Sequence, residues 1–263
     1  MIRVEQLVKT FGEVKAVRDI SFQVEQGEIF AFLGPNGAGK TTTIKMLTTL
    51  LKPTSGTVEL DGLDPTVSSN EARKRFGIVF QDPSLDDQLT AYENMGLHAA
   101  LYKVPRHVRR ERIERLLKLF ELWDRRDDGV KQFSGGMRRR LEIARSLLHT
   151  PKIIFLDEPT LGLDPQTRNQ MWTLVKKLNQ DEGVTVFLTT HYMEEAERVA
   201  QRVAIIDHGQ IIAQGTPQEL KLQTGTESLE QAFLALTGSA IRDEEATAAD
   251  TMRAMARIWS GRK

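Results

Sequence analysis

The sequence predicts an α/β fold: a mostly parallel sheet, entered through N-terminal antiparallel strands and interrupted by a helical insert. Three observations carry this expectation. Apolar, β-branched runs recur at residues 29–33, 153–156, 184–190 and 203–206, and such runs suit strands covered on both faces. Helical spacing separates the later runs, as right-handed crossovers require. Between residue 82 and about residue 150 the character changes to helix, which reads as the insert.

Taken in order, residues 2–27 alternate in short runs with a turn around Phe11 and Gly12, the pattern of antiparallel strands. Ile29-Phe30-Ala31-Phe32-Leu33 follows as a buried strand, and Thr43 to Leu51 has helical character. Residues 57–62 read as a strand and turn, and residues 75–80 as a strand ending at Gln81. Within the insert Ile113, Leu116, Leu117 and Phe120 fall at i, i+3, i+4 and i+7, one apolar stripe on a helix that Pro105 helps to start. Arg106, Arg109, Arg110, Arg112 and Arg115, interleaved with Glu111 and Glu114, read as its solvated face. No aromatics interleave with them, so no nucleic-acid surface is expected. Leu141, Ala144 and Leu148 give a second helical stripe. From about Ser239 the chain turns charged and alanine-rich, an appendage in which Met252, Met255 and Trp259 make a small apolar stripe.

Bulk composition excludes several classes. The 263 residues carry 36 Lys plus Arg against 36 Asp plus Glu, so no net charge points to nucleic acid or an anionic membrane surface. Without cysteine there are no disulfides, thiolate metal sites or thiol catalysis, in keeping with a reducing compartment. The polar, alternating start is not a signal peptide, and no apolar run approaches bilayer length. Any membrane spanning is therefore expected from another polypeptide.

Chemistry concentrates in a few motifs. Gly34-Pro35-Asn36-Gly37-Ala38-Gly39-Lys40-Thr41-Thr42 fits the phosphate-binding loop G-x-x-x-x-G-K-[ST] at each constrained position. Its glycines let backbone N–H groups wrap an anion, and the following helix adds its partial positive charge. Lys40 reaches the β- and γ-phosphates of a nucleoside triphosphate, and the Thr41 hydroxyl is placed for Mg²⁺. The expected fold is thus a P-loop nucleotide hydrolase. Ile153 to Leu156 runs into Asp157 and Glu158: Asp157 would hold Mg²⁺, and Glu158 would polarise a water for attack on the γ-phosphate. His191 and Gln81 each end a strand, where ligands of open α/β sheets bind. His191 is placed for the γ-phosphate or the attacking water, and Gln81 for metal and water. Ser134-Gly135-Gly136 opens another helix: the serine N-caps it and the glycines leave N–H groups open, making a second anion site. Two phosphate-binding helix ends and one nucleotide suggest that the second serves a neighbouring subunit.

The order GPNGAGKTT, Gln81, FSGGM (133–137), IIFLDEP (153–159), GLD (162–164) and TTH (189–191) resembles the ATP-binding-cassette (ABC) ATPases over nearly all of the chain to about Gly238. The resemblance implies an ATPase domain at residues 1–238, its helical subdomain at about 82–150, with 239–263 as a C-terminal appendage. It implies ATP and Mg²⁺, and a head-to-tail dimer in which Ser134, Gly135 and Gly136 bind the γ-phosphate held by the other copy's Lys40. It places Asp164 in the loop between the two sites, although Asp164-Pro165 is also an ordinary N-cap with proline at the first helical position. It assigns adenine stacking to Phe11, where tyrosine is more usual. Phe133 and Met137 depart from the family's frequent LSGGQ, leaving the serine and glycines intact.

One cassette without spanning segments resembles the separate ATPase subunit of a transporter, peripheral on the cytoplasmic face of the membrane. Residues 89–95 resemble the segment that forms the groove for a membrane subunit. Residues 215–220 and 228–238 resemble the daunorubicin-resistance type of exporter ATPase, which serves a separate ABC-2 type permease in exporting drugs, lipids or glycans. The competing class is a soluble cassette ATPase acting as an ATP-gated clamp; the long coiled-coil insertions or tandem cassettes that would favour it are not in the sequence. A small-molecule kinase is at odds with the S-G-G element and His191.

Overall fold

A computed structural model describes residues 1–238, so the appendage expected at 239–263, with Met252, Met255 and Trp259, lies outside the described residues. β1 (Ile2–Phe11) and β2 (Val14–Val24) pair antiparallel around Gly12, whose φ of 56° favours glycine. β3 (Ile29–Leu33) leads through the glycine-rich loop into α1 (Lys40–Leu47). β4 (Ser55–Leu60) returns beside β1, completing an antiparallel sheet in the order β2-β1-β4. After α2 (Ser69–Arg73) and β5 (Phe76–Val79) comes the helical insert: α3 (Ala91–Leu101), α4 (Arg106–Leu119) and α5 (Gly135–Ser146). Then follow β6 (Ile153–Asp157), α6 (Pro165–Glu182), β7 (Thr185–Thr190), α7 (Met193–Val199), β8 (Arg202–Asp207), β9 (Gln210–Gly215), α8 (Pro217–Thr224) and α9 (Leu229–Thr237). The second sheet runs β5-β6-β7-β3-β8-β9, parallel except for the β8–β9 pair.

The continuous apolar runs conceal a period of two. β3 sends Ile29, Ala31 and Leu33 to the core under the helices and Phe30 and Phe32 to the core between the sheets. β6, β7 and β8 divide their residues the same way, which is why these strands are apolar on both faces. Between the sheets Phe22 of β2 packs on Phe30, Phe32 and Phe187 with ring centroids 5.7, 5.5 and 5.8 Å away. Such pairs add about 0.5–1.5 kcal/mol each beyond burial, so the aromatic cluster is what joins the antiparallel sheet to the nucleotide-binding sheet.

The fold class is as the sequence predicts, with local differences. The helix expected at Thr43 starts already at Lys40 and stops at Leu47, because Thr49 takes a left-handed φ of 66°. α2 and β9 are not predicted; α2 is one short turn, and β9 alternates only between exposed and half-buried residues. The α4 stripe is buried at all four positions. Arg109 and Arg112 are not simply solvated: Arg109 donates to Val104 O (3.0 Å) and Arg112 to Leu148 O (3.2 Å), tying α4 to its neighbours. Leu229, Ala232 and Phe233 of α9 pack into the main core.

Where α3 ends against α5, Tyr102 stacks on His98 (4.6 Å) and His149 (4.0 Å). Burial, with Arg145 and His149 nearby, pushes the His98 pKa from 6.5 down to about 3. The folded chain therefore rejects a proton that the unfolded chain accepts below about pH 6.5. The part of the stability that depends on neutral His98 is complete above that pH and is lost progressively as pH falls toward 3. The melting temperature should drop through this window, and His98→Phe should flatten the drop; identical pH slopes in a thermal-shift series would refute this.

Candidate functional site

The loop between β3 and α1 is shaped by contacts that only glycine allows. A Cβ on Gly34 would lie 2.3 Å from Ile206 O of β8, and one on Gly39, at φ 108°, 2.7 Å from Ala16 O of β2. Gly37 has open space but a φ of 79°. Lys40 is buried, and its Nζ curls back over the loop to donate to Gly34 O (2.7 Å) and Pro35 O (3.2 Å). A cavity of about 240 Å³ opens here, lined by Pro35, Asn36, Gly37, Gly39, Lys40, Thr41 and Thr42 together with Ala16, Gln81 and Glu158. Gly34 and Ala38 are buried and are not among the residues that line it.

The acidic end of β6 reaches the same cavity. Asp157 is buried; its Oδ1 accepts the Thr189 hydroxyl (2.5 Å), while Oδ2 is buried without a hydrogen-bond partner. Burial raises the Asp157 pKa, opposed by the nearby hydroxyls of Thr189 and Thr41. Glu158 takes a left-handed φ of 45°. Its N–H donates to Thr189 O (3.1 Å) and Thr189 Oγ1 (3.0 Å). Its Oε1 lies 3.1 Å from Lys40 Nζ, and its Oε2 lies 2.9 Å from His191 Nδ1. Burial by itself would raise the Glu158 pKa, but His191 and Lys40 together hold it below the usual value. The carboxylate is therefore ionised at neutral pH. Thr189 is the residue that sequence reasoning missed, visible there only as part of TTH.

His191 lines a second, larger cavity of about 590 Å³ with Arg168, Tyr192 and Glu195, so its bond to Glu158 runs from one cavity to the other. Phe11 stands exposed at the hairpin end, with Lys9 Nζ 5.0 Å from its ring centre, and does not line the phosphate-loop cavity, which Ala16 of the same hairpin does. The donor set fits a hard cation. Asp157 Oδ2 is an orphaned buried acceptor, the Thr41 hydroxyl acts on the same carboxyl group, and Thr41 and Gln81 line the cavity although Asp157 does not. No group of three His, Cys, Asp or Glu side chains suited to a metal occurs among the described residues. An ion here would therefore complete its oxygen shell from phosphate and water.

At the other predicted anion site Ser134 N-caps α5, its hydroxyl accepting from Met137 N (3.3 Å). The two glycines differ. A Cβ on Gly136 would stand 2.4 Å from Thr167 Cγ2, whereas one on Gly135 would make only an ordinary 3.8 Å contact with Leu163. Thr167 cannot easily yield, because its N–H and hydroxyl both bind the Asp164 carboxylate, at 3.0 and 2.5 Å. Asp164 is thus the N-cap of α6 and a neighbour of the S-G-G helix at once. Phe133 is buried in the core and Met137 packs against it, so the two departures from the usual element are taken up by packing. Gly136→Ala should destabilise the protein by about 1–3 kcal/mol through overpacking. Gly135→Ala should leave the melting temperature unchanged while reducing nucleotide turnover; a matching loss of stability in both variants would contradict the distinction.

Comparison with known proteins adds to the geometry. The family model described as ABC transporter matches residues 17–161. Over 228 residues the chain is 46% identical to the daunorubicin/doxorubicin resistance ATP-binding protein DrrA of Streptomyces peucetius, covering 87% of this chain and 69% of that protein. It is 44% identical over 220 residues to the Nod factor export ATP-binding protein I of Ralstonia nicotianae, covering 84% of this chain and 68% of that protein. A dimeric ATP-binding cassette in a post-hydrolysis state, bound to ADP and Pi, superposes with a TM-score of 0.73 at 31% identity, covering 82% of this chain and 98% of that one.

Proposed function

The chain belongs to the ABC transporter family as an ATP-hydrolysing subunit, and from that premise we propose that it energises export of drugs, lipids or glycans through a separate ABC-2 type membrane subunit. The observation that carries the reading is the line Lys40–Glu158–His191, with Glu158 facing the phosphate loop across 3.1 Å and His191 holding its other oxygen at 2.9 Å. The resistance and export proteins to which the chain is similar support the substrate class.

ATP enters over the loop, and its phosphate oxygens compete with Glu158 for Lys40. Once released on that side, the Glu158 carboxylate remains oriented by His191 and accepts a proton from the water that attacks the γ-phosphorus in line. Thr41, Asp157 and Gln81 are the residues that would hold Mg²⁺, which would supply neutralisation of phosphate charge. In a head-to-tail pair, Ser134, Gly135 and Gly136 of one copy close on the γ-phosphate bound by the other; that a similar cassette is dimeric with ADP and Pi bound supports pairing. Closure drives the membrane subunits between access states, and hydrolysis reopens the pair.

Among the described residues no helix is long and apolar enough to cross a membrane. Leu97 and Leu101 of α3, on the insert, are exposed apolar side chains suited to a docking helix of the membrane subunit on the cytoplasmic face. Glu158→Gln should lower ATP turnover by about 10²–10⁴ and trap the closed pair. Tagged Glu158→Gln protein, drawn from gently solubilised membranes with ATP and Mg²⁺, should bring down one multi-spanning protein in stoichiometric amount. Recovery of soluble partners alone would move the function to an ATP-gated clamp, and near-normal turnover would remove Glu158 from its role.

A further inference from the structure

The sequence presents Arg138, Arg139 and Arg140 as one basic run, but the fold separates them. Arg138 pairs with Asp87 (2.9 Å) and Arg140 with Glu121 (2.9 Å) near the surface. Arg139 is 7% exposed, and its fork spans the carboxyl end of the sheet. Nε donates to Pro159 O (2.8 Å), Nη2 to Asp157 O (3.2 Å) and Glu158 O (3.0 Å), and Nη1 to Phe80 O. Its charge is answered by Glu142 one turn on, at 3.1 Å, which is itself buried. Glu142 in turn accepts from Ser84 N (2.7 Å), and Arg145 donates to Ser84 O (2.8 Å), so the segment after Gln81 is fastened to the same helix.

We propose that Arg139 is a positioning residue of the ATPase site, fixing from α5 the backbone that carries Glu158 and the residue before Gln81. A side chain needed only to fill space or balance Glu142 has no use for four carbonyls on two different strand ends. Glu158 sits at a left-handed φ of 45°, a conformation that persists only where surrounding bonds over-determine it. Its N–H is held by Thr189, and its carbonyl is held by Arg139. Arg139 does not line the phosphate-loop cavity; it acts through the direction in which the Glu158 and Gln81 side chains leave the sheet. The inference rests on Glu158 being the base.

The test compares Arg139→Lys with the charge-neutral pair Arg139→Gln/Glu142→Gln in the full chain, with Glu158→Gln as reference. Lysine keeps the charge opposite Glu142 but cannot reproduce the planar fork. Both variants should lose about 10- to 100-fold in kcat, the scale of a small misplacement of catalytic groups. KM for ATP, fluorescent-nucleotide affinity and melting temperature of Arg139→Lys should stay close to wild type. Wild-type turnover in Arg139→Lys would overturn the proposal, as would a kcat loss that only follows lost nucleotide affinity or lost stability. If Glu158→Gln itself turned over normally, the fault would lie with the base assignment instead.

Discussion

Two carboxylates stand side by side at the end of β6, buried, and each needs a donor to be tolerated there. The donors come from the two strands next in the sheet. β7 lies against β6 with Thr189 opposite Asp157, which sets the Thr189 hydroxyl on Asp157 and places His191 beside Glu158. β3 lies on the other side of β7, and the loop that follows it brings Lys40. The strand order β6-β7-β3 is thus an electrostatic requirement as well as a packing solution. A slip of β7 by one residue would exchange its faces and leave Asp157 and Glu158 without Thr189 and His191.

Packing enforces that register from both sides. Phe30, Phe32, Phe155 and Phe187 lock the strands against the antiparallel sheet, while Ala31, Leu156 and Leu188 lock them against the helices. Loop and strand ends are then rigid enough to hold a residue such as Glu158 in a conformation that costs about 1–3 kcal/mol elsewhere. The glycines follow the same logic. Gly34 and Gly39 permit close approach of backbone to β8 and β2, so the phosphate loop is braced by the scaffold instead of by a ligand.

What was legible in the sequence was whatever is local. The phosphate loop, the apolar strand ending in Asp157-Glu158, the S-G-G element and His191 at a strand end each carry their chemistry within a few residues. The structure gathers the loop, Gln81 and Glu158 at one cavity and reaches His191 through Glu158. Illegible were the features made by long-range contact. Thr189 looks like any strand threonine until its register with Asp157 is known. Gly136 needs its lack of a side chain because of Thr167, far along the chain, and Gly135 does not. That Ala16 lines the phosphate-loop cavity depends on how the first hairpin folds back over the loop, which no local signal shows. Arg138, Arg139 and Arg140 have the same composition signal and three different surroundings.

The ion pair between Lys40 and Glu158 has one more consequence. The group that would activate water and the group that would recognise phosphate neutralise each other, so the site contains its own interlock. A ligand frees the carboxylate only by offering Lys40 a stronger anion than the one it already holds. Under the proposed mechanism, phosphate charge then competes for a single ammonium that already has a partner.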